Sequence, residues 1–336
     1  MFRAARNKAD GPGPSILVVR LGSMGDIIHA LPAVATLKHS FPGSSLAWAV
    51  EPRWTPLLAG NPFIDRLIEI DRHSARGLGS AWRDLRKRRY DLAVDFQGLI
   101  KSALIASLAR PDRIYGFHES QLREKPAALF YSNRTPASSA HVVDRNLELA
   151  AAAGASTLLR AFPLPAGSAE GHLPGGDFVL ANPLAGWGAK QWPLPYYEAL
   201  GERLHEELRV QLVVNGPPEA ASELSSLRHA WVHVSGLPGL IHATRHALAV
   251  VGIDSGPMHL AAALAKPGVA VFGPTDPAPN GPYGSSFAVL RAPGALTSYK
   301  RRRETDPSME AVTPDAVFQT LVARIAARRA AGSPAS

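Results

Sequence analysis

Between His246 and Ala263 the chain reads HALAVVGIDSGPMHLAAA, an apolar run that stops at Asp254-Ser255-Gly256 and turns into a helix opened by Pro257. Few folds accept that order. A short β-branched run without polar alternation is a strand covered on both faces, the kind found in parallel sheets. Proline at the first helical position loses no hydrogen bond, because that N–H has no partner inside the helix. Ser255 is placed to cap the amides that remain free. The product is a helix N-terminus at the carboxyl edge of a parallel sheet, where unpaired N–H groups and the helix dipole favour an anion such as a diphosphate. From Lys266 to Gly284 a second strand follows, with a Gly/Pro/Asp loop stiff enough to hold a ligand.

Strand and helix alternate along the whole chain, which indicates α/β architecture with doubly wound parallel sheets. Ile16–Val19, Ser45–Val50, Arg66–Ile70, Leu92–Phe96, Phe178–Ala181, Val210–Val214 and Trp231–Val234 read as strands. Helices are expected over Ile27–Lys38, Ser80–Arg89, up to Ala109, His141–Gly154, Leu194–Leu208 and Leu240–His246. A length of 336 residues points to two domains. The boundaries follow from PLPAGSAEGHLPGG, which breaks every regular pattern. They are a first domain over 16–165, a linker over 166–176, a second domain over 177–312, and a closing helix over 313–330. That helix, begun at Thr313-Pro314, is expected to cross back to the first domain, with its tail fraying from Arg328. Residues 1–15 are basic and turn-rich, read as disordered, and lack the apolar core of a signal peptide. Cysteine is absent, which excludes a disulfide framework and a cysteine nucleophile. No apolar run approaches the span of a bilayer.

The formal net charge is +8, which suits an acidic partner: nucleic acid, an anionic membrane or a phosphorylated substrate. Arg86–Arg89 and Lys300–Arg303 read as solvated basic runs, with anionic lipid as the sharper alternative for the first. Nucleic acid fits poorly, because only Trp82, Tyr90 and Tyr299 stand beside these runs. Gly22-Ser23-Met24-Gly25-Asp26 lies between the first strand and its helix, but a carboxylate here would repel a phosphate. Asp26 therefore reads two ways, as an acid favoured by the helix dipole or as a general base. Lys190, among small residues in Gly186-Trp187-Gly188-Ala189-Lys190, suits an ammonium and backbone contact to phosphate. Glu219, after a strand, is a candidate for ribose hydroxyls. Lys101, Arg123 and Lys125 are cations beside turns or helix starts. His242 and His246 lack a carboxylate partner, and no Asp-x-Asp pair follows a strand, so no metal site is expected.

In order along the chain, SMGDIIHALPA, DFQGLIKSAL, RIYGF, GxxKxWP and DSGPMHLAAAL with VAVFGPTDPAPNGPYG resemble the family 9 glycosyltransferases, the bacterial lipopolysaccharide heptosyltransferases. The resemblance implies a GT-B architecture, two Rossmann-like domains facing a cleft, and no cofactor. It implies that Asp26 is the catalytic base of a single inverting displacement. Lys190, Gly186 and the amides of Ser255 and Gly256 would hold the diphosphate of ADP-heptose, and Asp254, His259 and Glu219 would position the rest of the donor. The acceptor would be acidic lipid A carrying Kdo, met by Lys101, Arg123 and Lys125, and the enzyme would be cytoplasmic and peripheral to the inner membrane. The type adding the first heptose is nearest. The alternatives are a related transferase with another donor or the second heptose as product, an inactive nucleotide-binding regulator, and a basic nucleic-acid-binding protein. The chain departs from many relatives in having Ala185 and Gly186 where hydroxyl residues often stand.

Overall fold

The computed structural model describes residues 13–332, so most of the segment expected to be disordered, residues 1–12, lies outside the described residues. The first domain contains β1 (Ser15–Val19), α1 (Met24–Ser40), β2 (Ser45–Val50), β3 (Arg66–Glu69), α2 (Ala75–Arg86), β4 (Leu92–Asp95), α3 (Ile100–Leu108), β5 (Arg113–Phe117), β6 (Asn133–Thr135) and α4 (Val142–Ala152). The second contains β7 (Phe178–Ala181), α5 (Leu194–Leu208), β8 (Gln211–Gly216), α6 (Ala221–Leu224), β9 (Trp231–Val234), α7 (Leu237–His246), β10 (Ala249–Ile253), α8 (Gly256–Ala263), β11 (Gly268–Phe272), α9 (Pro277–Asn280), β12 (Phe287–Arg291), α10 (Pro307–Glu310) and α11 (Pro314–Gly332). The strand orders are β3-β2-β1-β4-β5-β6 and β12-β11-β10-β7-β8-β9. Every pairing is parallel. Each sheet changes winding direction once, between β1 and β4 and between β7 and β10. The crevice outside the carboxyl ends of those strands is where ligands bind in such folds.

Polar–apolar alternation is lost in the central strands, as it must be where helices cover both faces. Ile16, Val18 and Val94 join one core with α1 and α4, while Leu17, Val19 and Ala93 join another under α2 and α3. The first of these cores continues without a break into α7, α8 and the near face of the second sheet. The far face of the second sheet is covered by α5 and α11.

Some expectations need correction. The closing helix α11 lies on α5, β11 and β12 of its own domain, because Val317, Phe318, Leu321 and Ile325 complete the core there. It also runs on to Gly332 rather than fraying from Arg328. Helix α2 starts five residues before Ser80, because the Ser74 hydroxyl accepts from the Gly77 N–H at 3.0 Å. Ser255 stands at the N-cap of α8 but makes no capping hydrogen bond, and its hydroxyl is buried without a partner.

The domains meet along α1 and α8, and two glycines set how closely. A Cβ on Gly25 would lie 2.5 Å from His259 Cδ2, and a Cβ on Gly256 would lie 2.7 Å from Met24 Cβ. Each helix start thus lacks a side chain where the other helix places one. The loop after β11 adds a second bridge: Tyr283 donates to Asp144 Oδ1 at 2.9 Å, and His141 Nε2 lies 3.1 Å from the Gly281 carbonyl. The segment 153–177 has no regular structure but is tied down, with Arg245 donating to the carbonyls of Leu164 and Pro165 at 2.7 and 2.9 Å.

Three imidazoles gather on this seam. His29 Nε2 is 3.1 Å from His259 Nδ1, and the His29 and His141 rings meet edge-on at 5.5 Å. Burial disfavours their charged forms: His259 is pushed down to about 4, His29 falls well below its ordinary 6.5, and His141 is also lowered. A histidine whose folded pKa lies below its unfolded value gains a proton on unfolding, so stability is complete above about pH 6.5 and declines as pH falls toward 4. Each such group contributes roughly 1.4 kcal/mol per pH unit inside that window. The depressed carboxylates Asp26 and Glu51 act in a separate window, below the ordinary carboxylate range. Thermal melting from pH 7.5 to 4.5 should show a falling melting temperature, with a shallower slope in His259→Gln. Equal slopes in both proteins would contradict the assignment.

Candidate active site

The first-domain half of the site is built where β1 gives way to α1. Chain reversal brings Arg20 below the helix start, 8% exposed, with Trp48 Nε1 donating to its carbonyl at 3.0 Å. The Arg20 guanidinium donates to the Phe96 carbonyl at 2.5 Å and forms an ion pair with Asp26 Oδ1. Asp26 Oδ2 accepts from the Ser23 N–H and hydroxyl, both at 3.0 Å. The carboxylate is still 38% exposed, so it faces the cleft while held on three sides. Burial raises its pKa, but Arg20, the two Ser23 donors and His259 outweigh burial and hold it below the usual carboxylate range. Asp26 is therefore ionised at neutral pH and able to accept a proton.

Across the switch point, Gln97 accepts from the Leu21 N–H at 2.9 Å and locks the two loops together. Asp95, fully buried, organises that second loop by accepting from Tyr131, Ser102 and the Gln97 N–H at 2.7, 2.8 and 2.9 Å. Burial raises its pKa despite these donors. Gly98 takes φ +68°, and a Cβ there would meet Leu122, so DFQG needs its glycine twice over. Beside this loop lies a cleft of about 190 Å³ lined by Arg20, Gln97, Arg123, Arg145 and Asn146, among others. Of the expected acceptor cations, Arg123 lines it. Lys101, half-buried in the first turn of α3, and the exposed Lys125 do not. The three are neighbours, because Glu124 accepts from the Ile100 N–H at 2.8 Å.

The second-domain half sits at the β7/β10 switch point. Lys190 closes a helical turn after β7, and its ammonium donates to Asp254 Oδ2 at 2.5 Å, with the side chains 16% and 15% exposed. Asp254 follows β10, Ser255 is the N-cap of α8 and Gly256 its first residue, so the cation and the free amides share one corner. Lys190 also lies 4.2 Å from the Trp187 ring centroid. Gly186 is exposed, and nothing stands within 4 Å of a Cβ placed there, which leaves its backbone open to a ligand. His259, expected among the donor contacts, is 7% exposed and directs Nδ1 at His29. Its ring fills the space left by the missing side chain of Gly25, the residue next to Asp26, and the charges of Asp254 and Asp26 oppose the lowering of its pKa by burial. Glu219 is exposed in a turn after β8, the strand next to β7. Among the described residues, no group of three or more His, Cys, Asp and Glu could hold a metal ion.

Several residues of the site carried no signal in sequence. Arg20 was one cation after a strand, until the fold placed it against Asp26. The basic run Lys300–Arg303 is exposed, as expected, but its backbone is also laid against the Lys190 turn: the Ala189 N–H donates to the Arg302 carbonyl at 3.2 Å, and Arg301 lies 5.3 Å from the Trp187 ring. Gly188 permits this approach, since a Cβ there would sit 1.7 Å from the Arg303 carbonyl oxygen. Glu51, 8% exposed at the end of β2, pairs with Arg53 and Arg72 beside the Gly22 turn. A composition signal exists only for the 300–303 run, and composition does not say which site it joins.

The sequence profile of glycosyltransferase family 9 (heptosyltransferase) matches residues 78–311. Lipopolysaccharide heptosyltransferase 1 of Pseudomonas aeruginosa is 31% identical over 296 residues, covering 81% of this chain and 82% of that one. Its counterpart in Escherichia coli K12 is 29% identical over 306 residues, 83% of this chain and 93% of that one. The solved E. coli heptosyltransferase WaaC with ADP superposes with a TM-score of 0.76 at 26% identity, over 92% of this chain and 99% of that one. The matched profile, the 31% identical relative and the superposition of two Rossmann-like domains in the GT-B arrangement agree: the chain belongs to glycosyltransferase family 9, the heptosyltransferases.

Proposed function

We propose that this protein transfers heptose from ADP-heptose to the Kdo of an acidic lipid A acceptor, as the enzyme adding the first heptose. The seam carries the reading: Gly25, next to Asp26, lies against His259, and Met24 lies against Gly256, two residues beyond the Asp254 that pairs with Lys190, so a proton acceptor and a diphosphate-binding corner fall on facing walls of one cleft. Relatives named lipopolysaccharide heptosyltransferase 1 support the donor and product, as does the E. coli structure with ADP-2-deoxy-2-fluoro heptose. In the reaction, Asp26 takes the proton of the acceptor hydroxyl as that oxygen attacks the anomeric carbon, with inversion. Lys190, the amides of Ser255 and Gly256, and Arg301 from the adjacent 300–303 segment neutralise the departing diphosphate without a metal ion. On diphosphate binding Lys190 turns from Asp254, which is then free to accept sugar hydroxyls. Gly186 offers backbone amides, Glu219 accepts from the ribose, and His259 fixes the distance between Asp26 and the donor. Lys101, Arg123 and Lys125 meet the phosphates and carboxylates of the acceptor, with the cleft at Arg20 and Arg145 behind them. No described helix is long and apolar enough to cross a membrane, and we place the protein on the cytoplasmic face of the inner membrane.

Lys190→Ala should weaken ADP binding about ten- to hundredfold, since a charge-assisted partner worth roughly 1.5–3 kcal/mol is lost and the Asp254 charge is left uncovered. Calorimetry with ADP measures this, and turnover in excess chelator should match turnover without it. Unchanged ADP affinity in the variant would remove Lys190 from the site.

Asp26→Asn should cut turnover at least about a hundredfold while ADP still binds. The substitution keeps an acceptor for Ser23 but strips Arg20 of its counter-charge, so about 1–3 kcal/mol of stability should go with it. Turnover with saturating substrates, measured where melting shows the variant folded, separates the two effects. Near-normal turnover would make Asp26 a structural acid.

A further inference from the structure

The far layer of the first domain is built inside out. On α3, Ala103 and Ala106 face the sheet, while Ile100, Leu104 and Leu108, four residues apart, are 42%, 45% and 38% exposed. On α2, Ala81 and Leu85 are buried, and Leu78 and Trp82 are 51% and 49% exposed. Leu129 is 79% exposed on the helical turn 125–130 packed beside α3. A helix on a sheet ordinarily turns its large apolar residues inward. Here the three elements share one layer and one buried core and direct their bulk outward together. Apolar side chains gathered on one face mark an interaction surface.

The charge around this face indicates what covers it. From Ala75 to Arg89 the chain carries Arg76, Arg83, Arg86, Lys87, Arg88 and Arg89 against the single acid Asp84, which is already paired with Arg66 and Lys87. From Gly98 to Arg110 it carries Lys101 and Arg110 and no acid. The Arg86 guanidinium sits 5.7 Å from the Trp82 ring centroid. Lys87 pairs with Asp84 and Arg89 with Asp112, but the cations still outnumber the acids, and aliphatic and indole side chains ringed by such an excess match the boundary between acyl chains and acidic headgroups.

We propose that the outer face of α2, α3 and the 125–130 turn docks on an anionic lipid bilayer, with Trp82 and the Ile100–Leu104–Leu108 row seated at the headgroup boundary. The inference rests on the reading of a lipid-borne acceptor and adds the orientation that reading needs. Helix α3 begins at the carboxyl end of β4, the sheet edge that carries the Asp26 loop, so the docked face meets the mouth of the cleft. Lys101 and Lys125 stand at the starts of α3 and of the 125–130 turn, and Arg123 lines the cleft beside Gln97. A headgroup acceptor then reaches Asp26 without its acyl chains leaving the bilayer.

The test is co-sedimentation of the full chain with vesicles of phosphatidylglycerol and phosphatidylethanolamine, and with vesicles of phosphatidylcholine alone. Wild type should bind the anionic vesicles and far less of the neutral ones. Trp82→Ser combined with Leu104→Ser should lower partitioning at least about tenfold, with turnover on a deacylated, water-soluble acceptor within about twofold of wild type. Loss of vesicle binding with that turnover kept supports the docking face. Equal vesicle binding by the double variant, or none by wild type, overturns it. So does a wild-type dimer that the double variant dissolves, since a second copy then covers the face. If neither protein turns over the soluble acceptor while vesicle binding behaves as stated, the transferase reading fails and the docking face stands.

Discussion

The contact on which the site depends is the one between two helix starts, α1 and α8. Each is brought to the seam by its own parallel sheet, and each gives up a side chain to admit its opposite: Gly25 receives His259, and Gly256 receives Met24. A helix N-terminus presents free N–H groups and a positive dipole end. Two of them face to face would repel one another and favour anions without distinction. The chain resolves this by placing Asp26 in the first turn of α1 and leaving α8 without an acid in its first turn. One wall of the cleft then carries an ionised carboxylate and the other free amides, which the proposed reaction uses as proton acceptor and anion site.

The charges of the site are matched before any substrate arrives. Arg20 covers Asp26 from below, and Asp254 covers Lys190, so neither the base nor the cation is left unpaired in a desolvated crevice. The pairs differ in how readily they come apart. Arg20 is 8% exposed and tied to the Phe96 carbonyl as well, which makes it a fixed support. Lys190 is a single ammonium on a flexible stem in a short turn, and it can exchange one oxygen partner for another. On the proposed reading, a fixed base then faces an exchangeable cation, which suits a reaction in which the leaving group carries the large charge change.

Much of the fold was readable because β-branched runs ending in Gly and Asp admit few interpretations, and DSGP and SMGD stood at the ends of such runs. The role of their glycines was not readable. In isolation Gly256 reads as part of an anion-binding turn and Gly25 as part of a loop that Asp26 closes to phosphate, and only the packing of one domain on the other shows that both make room for side chains. Arg20 and the 300–303 run were hidden for a related reason: their partners are distant in sequence or reached through a turn. The sense of α3 was lost because periodicity reports that a helix has two faces, and the sheet chose the alanine side. The destination of α11 was missed because an apolar stripe does not name the surface it covers.

The central claim is that close approach of α1 and α8 places the base against the donor corner. Gly25→Ala tests it most directly, because the added methyl meets a buried ring on the opposite domain and touches neither substrate site. The measurement is single-turnover transfer with saturating substrates, beside ADP affinity in the same preparation. The account predicts ADP affinity within about twofold of wild type and transfer slowed at least about tenfold. Wild-type transfer rates with ADP affinity intact would show that the seam does not set the geometry of the reaction.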